Sequence, residues 1–296
     1  MSASIQLPGR EGPLVIPSPA WAERYPPPRA RRVYAAAHVA AFDAERIDWE
    51  ATLRFREHLW ANGFGVAEAM DTAQRGMGLS WELARELIAR SASVARGALA
   101  CGAGTDQLPD GESYPIPRII DAFVSQMAFV QSAGADVILM ASRALAASAR
   151  GPGDYLAVYG ELLGQAERPV ILHWLGEAFD PALHGYWGGT DFDTAADMVL
   201  ELVDRYGDKV DGIKLSVLDA GQEVALRRRL PSGVRLYTGD DFNYPELIRG
   251  DAAGHSDALL GAFAAITAPA AAALHALDAG DVAGYDAAMA PTLPLS

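Results

Sequence analysis

The chain has 296 residues, half of them apolar, which is enough to bury one large core or two smaller ones and makes a soluble globular protein the default. Its 24 lysines and arginines stand against 38 aspartates and glutamates, a formal charge of -14; this repels nucleic acid and anionic membranes and leaves no basic stripe for a phosphate backbone. The single cysteine, Cys101, excludes an intramolecular disulfide framework and reads as a small buried hydrophobe, while the absence of a signal pattern or an uninterrupted apolar span predicts a cytoplasmic location.

Residues 1–32 carry Pro8, Pro13, Pro17, Pro19 and the triplet Pro26-Pro27-Pro28, followed by Arg29, Arg31 and Arg32. Such a segment forms neither a regular helix nor a central strand, and it is expected to lie as an extended arm on the body. From Val33 a repeat begins, in which a strand-like apolar run and a turn are followed by an amphipathic stretch. The predicted strands are 33–38, 64–70, 98–102, 136–140, 169–173, 210–215, 234–238 and 256–260. Between and after them, helices are predicted over 49–62, 80–96, 117–133, 154–165, 191–206, 220–229 and 244–249. Asp48 and Ser80 stand where N-caps belong, and Gly63, Gly97 and Gly134 stand where helices must stop.

Eight strands alternating with helices predict a closed (β/α)8 TIM barrel over residues 33–268; an open doubly wound sheet is the competing architecture, and no Gly-x-Gly-x-x-Gly follows the first strand to support it. Residues 269–296 are alanine-rich and predict a C-terminal helical segment, with helices near 270–277 and 282–289. The abrupt end at Pro291 to Ser296 reads as a trimmed chain.

In a parallel barrel the functional groups gather at the C-terminal ends of the strands. Here those ends supply His38, Glu68, Asp71, Thr72, Ser142, Arg143, His173, Lys214, Ser216, Asp240 and Asp241. Lys214 stands out because Val210 to Val217 otherwise reads as a buried strand. Burial disfavours a protonated lysine and favours a nucleophilic amine, although a lysine at a strand end also snorkels to water or pairs with a carboxylate. His173 reads either as a satisfied core histidine or as a proton carrier, and Asp240 and Asp241 either as helix caps or as site residues. Glu68 lies within an apolar strand and needs a partner if buried.

Gly212-Ile213-Lys214 on the sixth strand, Pro169 to Leu172 on the fifth and Tyr237-Thr238-Gly239-Asp240-Asp241 on the seventh resemble the dihydrodipicolinate synthase and N-acetylneuraminate lyase superfamily. The order of elements from Ile47 to Glu82 resembles it too. The resemblance covers the chain from about Val33 onward. It implies a class I aldolase or lyase in which Lys214 forms an imine with a 2-oxo acid or a keto-sugar-derived substrate. It also implies that no cofactor is needed, that the substrate is a small molecule, and that the protein is a homo-oligomer, a dimer or tetramer. The resemblance places Thr72, with Asp71, in the loop that holds the substrate carboxylate; Arg75 is a candidate to bind that anion in place of missing family residues. Ser142, Arg143, Asp240 and Asp241 complete the expected substrate contacts.

The chain departs from the family where Leu172-His173-Trp174 replaces Leu-Tyr-Asn, which moves the proton-relay role from tyrosine to His173. The fourth-strand tyrosines and the arginine loop after strand five are missing as well, so the familiar substrates of the superfamily are not expected. Two other functions fit the same residues. Glu68, Asp71, His173 and Asp240 offer ligand types for a divalent cation that stabilises an enolate. Alternatively, the barrel binds a metabolite without catalysis.

Overall fold

The computed structural model describes residues 3–6, 11–16, 21–43 and 46–295. Strands β1 (Ala3–Ile5) and β2 (Leu14–Ile16) pair antiparallel as a small hairpin outside the main sheet. Eight parallel strands then close into a barrel: β3 (Val33–Ala36), β4 (Gly65–Glu68), β5 (Leu99–Ala103), β6 (Asp136–Leu139), β7 (Val170–Leu175), β8 (Val210–Ser216), β9 (Arg235–Thr238) and β10 (Asp257–Leu260), with β10 pairing β3. The predicted strands agree with these to within about two residues. The main difference is at the first, which stops at Ala36 and leaves His38 in the loop above it.

The helices are α1 (Trp49–Ala61), α2 (Trp81–Val94), α3 (Ile116–Ser132), α4 (Arg143–Ser148), α5 (Pro152–Gln165), α6 (Phe192–Tyr206), α7 (Ala220–Arg229), α8 (Tyr244–Arg249), α9 (Ala262–Ala265), α10 (Thr267–Asp278) and α11 (Val282–Met289). Asp48 accepts from the Ala51 N–H at 2.9 Å and Ser80 from the Leu83 N–H at 3.4 Å, so both predicted N-caps function as such. Gly63 and Gly134 end their helices at φ +79° and +78°. Gly97 is there for a different reason: a Cβ at this position would lie 2.8 Å from the Trp60 ring, whose Nε1 donates to the Ala98 carbonyl. Helix α4 was not expected, because its one turn and a half begins at Ser142 in a stretch that reads as a loop. Helix α10 starts at Thr267, before the expected boundary at 269.

Strand periodicity divides the apolar residues into two layers. Tyr34, Ala36, Ala67, Ala100, Ile138, Ile171, Tyr237 and Leu259 fill the barrel interior, capped by Met70 and Met140, while alternate residues such as Val66, Leu139, Leu172, Ile213 and Leu215 pack outward against the helices. Glycines make room for the interior rings. A Cβ at Gly65 would lie 2.6 Å from Tyr34, and one at Gly212 would lie 2.7 Å from Tyr237.

The arm from residue 21 lies against the C-terminal ends of α1, α8 and α10. The Tyr25 N–H donates to Ala61 O at the C-terminal end of α1, the Arg29 and Ala30 N–H groups donate to Asp278, and Arg31 Nε donates to Ile248 O in α8. Pro8, Pro17 and Pro19 lie outside the described residues. On the opposite side of the molecule from α1, the loop between β7 and α6 is anchored by aromatic packing. Trp174 stacks on Phe192 at 5.1 Å, and Trp187 is fully buried against Tyr159 at 4.5 Å despite a left-handed backbone at φ +71°. Such a conformation is strained for a bulky side chain and persists only where packing holds it. No helix among the described residues is long and apolar enough to cross a membrane.

Candidate active site

A cavity of about 670 Å³ opens at the C-terminal end of the strands, the end opposite the arm. Its floor is built by strand alternation. On β8, Gly212, Lys214 and Ser216 point inward while Ile213 and Leu215 face the helices; His173 lies level with Lys214 in the β7–β8 register, and Tyr237 lies level with it in β9. The Lys214 side chain is only 5 % exposed, and its Nζ is 3.6 Å from Asp71 Oδ1. Burial alone would raise the Asp71 pKa, but the Lys214 charge, His173 and the N–H groups of Asp71 and Thr72 outweigh it, so the carboxylate is held below its ordinary range.

His173 is buried beside this pair. Burial, reinforced by Lys214, depresses its pKa to about 3, so the imidazole is neutral at physiological pH. Its Nε2 is 3.5 Å from Ser216 Oγ and its Nδ1 has no hydrogen-bond partner. His173 does not line the cavity, whereas Ser216 does, so the histidine reaches the cavity through that hydroxyl. Ser216 stands among the strand-end polar residues read from the sequence but is given no role there; the period-2 pattern Gly212, Lys214, Ser216 is the signal that marks it as a site residue.

Asp71 and Thr72 occupy a single 3-10 turn, Asp71–Ala73, after β4. The turn is bracketed by two non-glycine residues in the left-handed region, Ala69 at φ +54° and Gln74 at φ +63°. Ala69 is held from both sides: its N–H donates to Glu68 Oε1 at 3.0 Å, and its carbonyl accepts from Arg75 Nη1 at 3.1 Å. Glu68 in turn receives two hydrogen bonds of 2.8 Å from Arg56 and one of 2.6 Å from Ser91, and both members of the Arg56–Glu68 pair are fully buried. This buried network supports the turn that brings Asp71 to Lys214.

These contacts change the expected roles of several residues. Glu68 points outward between the barrel wall and helices α1 and α2, away from the cavity. Each of the five guanidinium N–H donors of Arg75 is engaged by Asp106, Gln126, Ala69 O or Gly102 O, and its face lies 4.9 Å from the Trp81 ring centre, leaving no donor for a substrate anion. Asp240 accepts from the N–H groups of Phe242 and Asn243 and from the Asn243 side chain, and so organises its own loop instead of facing the cavity. Ser142 caps α4 through the Leu145 N–H and bonds Thr105 Oγ1 at 2.6 Å; its own N–H donates to Tyr186 Oη. Trp174, next to His173, points into the outer aromatic wall.

Asp71, Thr72, Arg143, Lys214 and Asp241 do converge on the cavity, together with His38. Arg143 is ion-paired with Asp180 at 2.6 Å and Asp110 at 2.8 Å. Burial raises the Asp241 pKa against the opposing pull of Lys214, and burial, with Arg56, lowers that of His38. Because Glu68 faces away and Asp240 is committed to its loop, the four residues considered as metal ligands do not converge. No group of three or more His, Cys, Asp or Glu residues among the described ones is arranged to hold a metal ion.

A family model described as a protein of unknown function (DUF993) matches residues 9–296, and the chain belongs to that family. No curated protein matches the sequence. Solved structures with the same fold include the dihydrodipicolinate synthase of Oceanobacillus iheyensis (18% identity, 90% of this chain and 78% of that one, TM-score 0.66). A second is YagE, a prophage protein of the dihydrodipicolinic acid synthase family from E. coli K12, in complex with pyruvate (14%, 90% and 81%, TM-score 0.70). A third is the 4-hydroxy-tetrahydrodipicolinate synthase of Methylacidiphilum fumariolicum SolV (19%, 90% and 79%, TM-score 0.68). At the level of fold, the superfamily resemblance seen in the sequence is borne out.

Proposed function

We propose that this member of the DUF993 family is a lyase of the class I aldolase type, in which Lys214 forms a Schiff base with a small carbonyl substrate. The observation that carries the reading is the buried Lys214 amine at the cavity floor, 3.6 Å from the Asp71 carboxylate and level with the neutral His173 on the neighbouring strand. The cation usage of the chain supports it. Only two lysines are present, Lys209 and Lys214, and every other basic side chain apart from histidine is arginine. Arginine serves structural pairing better than lysine but is not a nucleophile, so a lysine retained at the cavity floor suits amine chemistry. Lys209, by contrast, donates to Ala166 O and takes no part in the cavity.

The chemistry follows from this arrangement. Asp71 accepts the proton that the ammonium sheds, the free amine attacks the carbonyl carbon to give a carbinolamine, and Asp71 returns the proton to the departing hydroxyl, so that water leaves, an iminium forms and the carboxylate is restored. Removal of the proton from a hydroxyl on the β-carbon then breaks the bond between the α- and β-carbons. An aldehyde leaves, and the electron pair passes into the iminium to give an enamine. Protonation at the α-carbon and hydrolysis release the second product and regenerate the amine. Neutral His173 has one donating and one accepting nitrogen, so it orients the Ser216 hydroxyl as a proton carrier at the floor without acquiring a charge.

The test is borohydride reduction in the presence of small 2-oxo acids and keto sugars, followed by mass mapping of the lysine peptides. A substrate-dependent adduct is expected on Lys214 and not on Lys209, and none in Lys214→Met. Failure of every carbonyl to label Lys214 in folded protein would eliminate the Schiff base.

A further inference from the structure

The cavity is acidic on balance, with five aspartates facing it against three cations. All three cations are already matched. Arg75 has no N–H to spare, Arg143 lies between Asp180 and Asp110, and Lys214 is beside Asp71. Asp241 faces the same space, held by the Ala262 N–H and drawn towards Lys214, but with no cation within 4 Å among the described residues. A substrate carboxylate entering this cavity meets no unmatched cation and at least one unmatched carboxylate. Asp71 also presents its own charge beside the amine, favoured there against burial by Lys214 first, then by His173 and the N–H groups of Asp71 and Thr72.

Hydroxyl groups fit the same surroundings well. A carboxylate is a strong acceptor for an O–H donor, and the hydroxyls of Thr72 and Ser216 both donate and accept. Leu259, Leu260 and Phe242 give the carbon skeleton apolar contact on the side of β10.

Building on the Schiff-base reading of Lys214, we infer that the substrate is an uncharged, polyhydroxylated ketone or aldehyde and not a 2-oxo acid, with Asp71 as the anion beside the amine and Asp241 as an acceptor for substrate hydroxyls. The imine step is the one given above, with water as the only leaving group, and it needs no further reactant.

The experiment compares dihydroxyacetone with pyruvate, two three-carbon ketones that differ in the carboxylate, as borohydride-trapped partners of the full-length protein. Adduct on the Lys214 peptide is read against concentration, with Lys209 as internal reference. Half-saturation is expected at a concentration at least tenfold lower for dihydroxyacetone, and Asp241→Asn should narrow that gap by improving pyruvate. Equal or better trapping of pyruvate, or a gap that Asp241→Asn leaves unchanged, overturns the inference while leaving the Schiff base standing. Absence of any adduct with either ketone or with a wider panel of carbonyls removes the Schiff-base reading and this inference together.

Discussion

A single methyl group at Gly239 tests the geometry of the floor. Gly239 follows β9, its N–H donates to Leu215 O at 2.8 Å, and its φ lies outside the left-handed region, so the backbone accepts alanine and any effect is steric. The new Cβ would lie 2.1 Å from Ser216 Oγ, 2.9 Å from Leu215 O and 3.1 Å from Lys214 Cε. The Ser216 hydroxyl must retreat by about 1 Å or rotate away, which breaks its approach to His173, and overpacking of this kind costs about 1–3 kcal/mol. A displacement of that size near a reacting group lowers rates on the order of 100-fold. Gly239→Ala is therefore expected to melt a few degrees below the wild type and to form the trapped Lys214 adduct on the order of 100 times more slowly. Gly164→Ala is the matched control, since Gly164 is exposed near the end of α5 with open space around its Cβ position and an ordinary φ. Adduct formation in folded Gly239→Ala within twofold of the wild-type rate would refute the assignment of Lys214 and Ser216 to the reacting floor.

The depressed pKa of His173 links stability to pH. An unfolded histidine takes up a proton below about 6.5, whereas the folded one stays neutral down to about 3, so the unfolded chain binds the extra proton and stability falls as pH drops through that window. The full effect is on the order of 5 kcal/mol, and thermal melts between pH 7 and 4 should show a shallower decline in His173→Gln; an unchanged slope would show that the imidazole is not held neutral. Arg56→Ala leaves Glu68 buried without its ion-pair partner and should cost about 3–5 kcal/mol in urea unfolding. In protein that remains folded it should also slow trapping at Lys214, because the Ala69 turn that carries Asp71 loses its support; wild-type trapping would separate the network from the site.

The parts of this structure that were legible in the sequence are those governed by local periodicity. The alternation Gly212, Lys214, Ser216 and the run ending at His173 fixed which side chains face inward, and the caps at Asp48 and Ser80 marked where helices begin. The outward direction of Glu68 follows from the same alternation once Ala67 is known to face in, but its partner Arg56 belongs to the preceding helix and carries no sequence signal of the pairing. Asp71 was recognised as a site residue in a different role. Its approach to Lys214 depends on left-handed conformations at Ala69 and Gln74, for which neither residue type is a marker. Arg75 read as free to bind an anion because its partners Asp106 and Gln126 lie 31 and 51 residues further along the chain.

The aromatic anchoring of the segment between β7 and α6 also bears on how a ligand binds. Leu175, Phe179, Asp180 and Leu183 of this segment form one wall of the cavity, and Trp174, Tyr186 and Trp187 fasten it from behind. The entropy lost in ordering that wall is lost when the protein folds, not when a ligand arrives. A molecule of only a few carbons, with little surface to offer, can then be retained without its modest contact energy being drained into closing a loop.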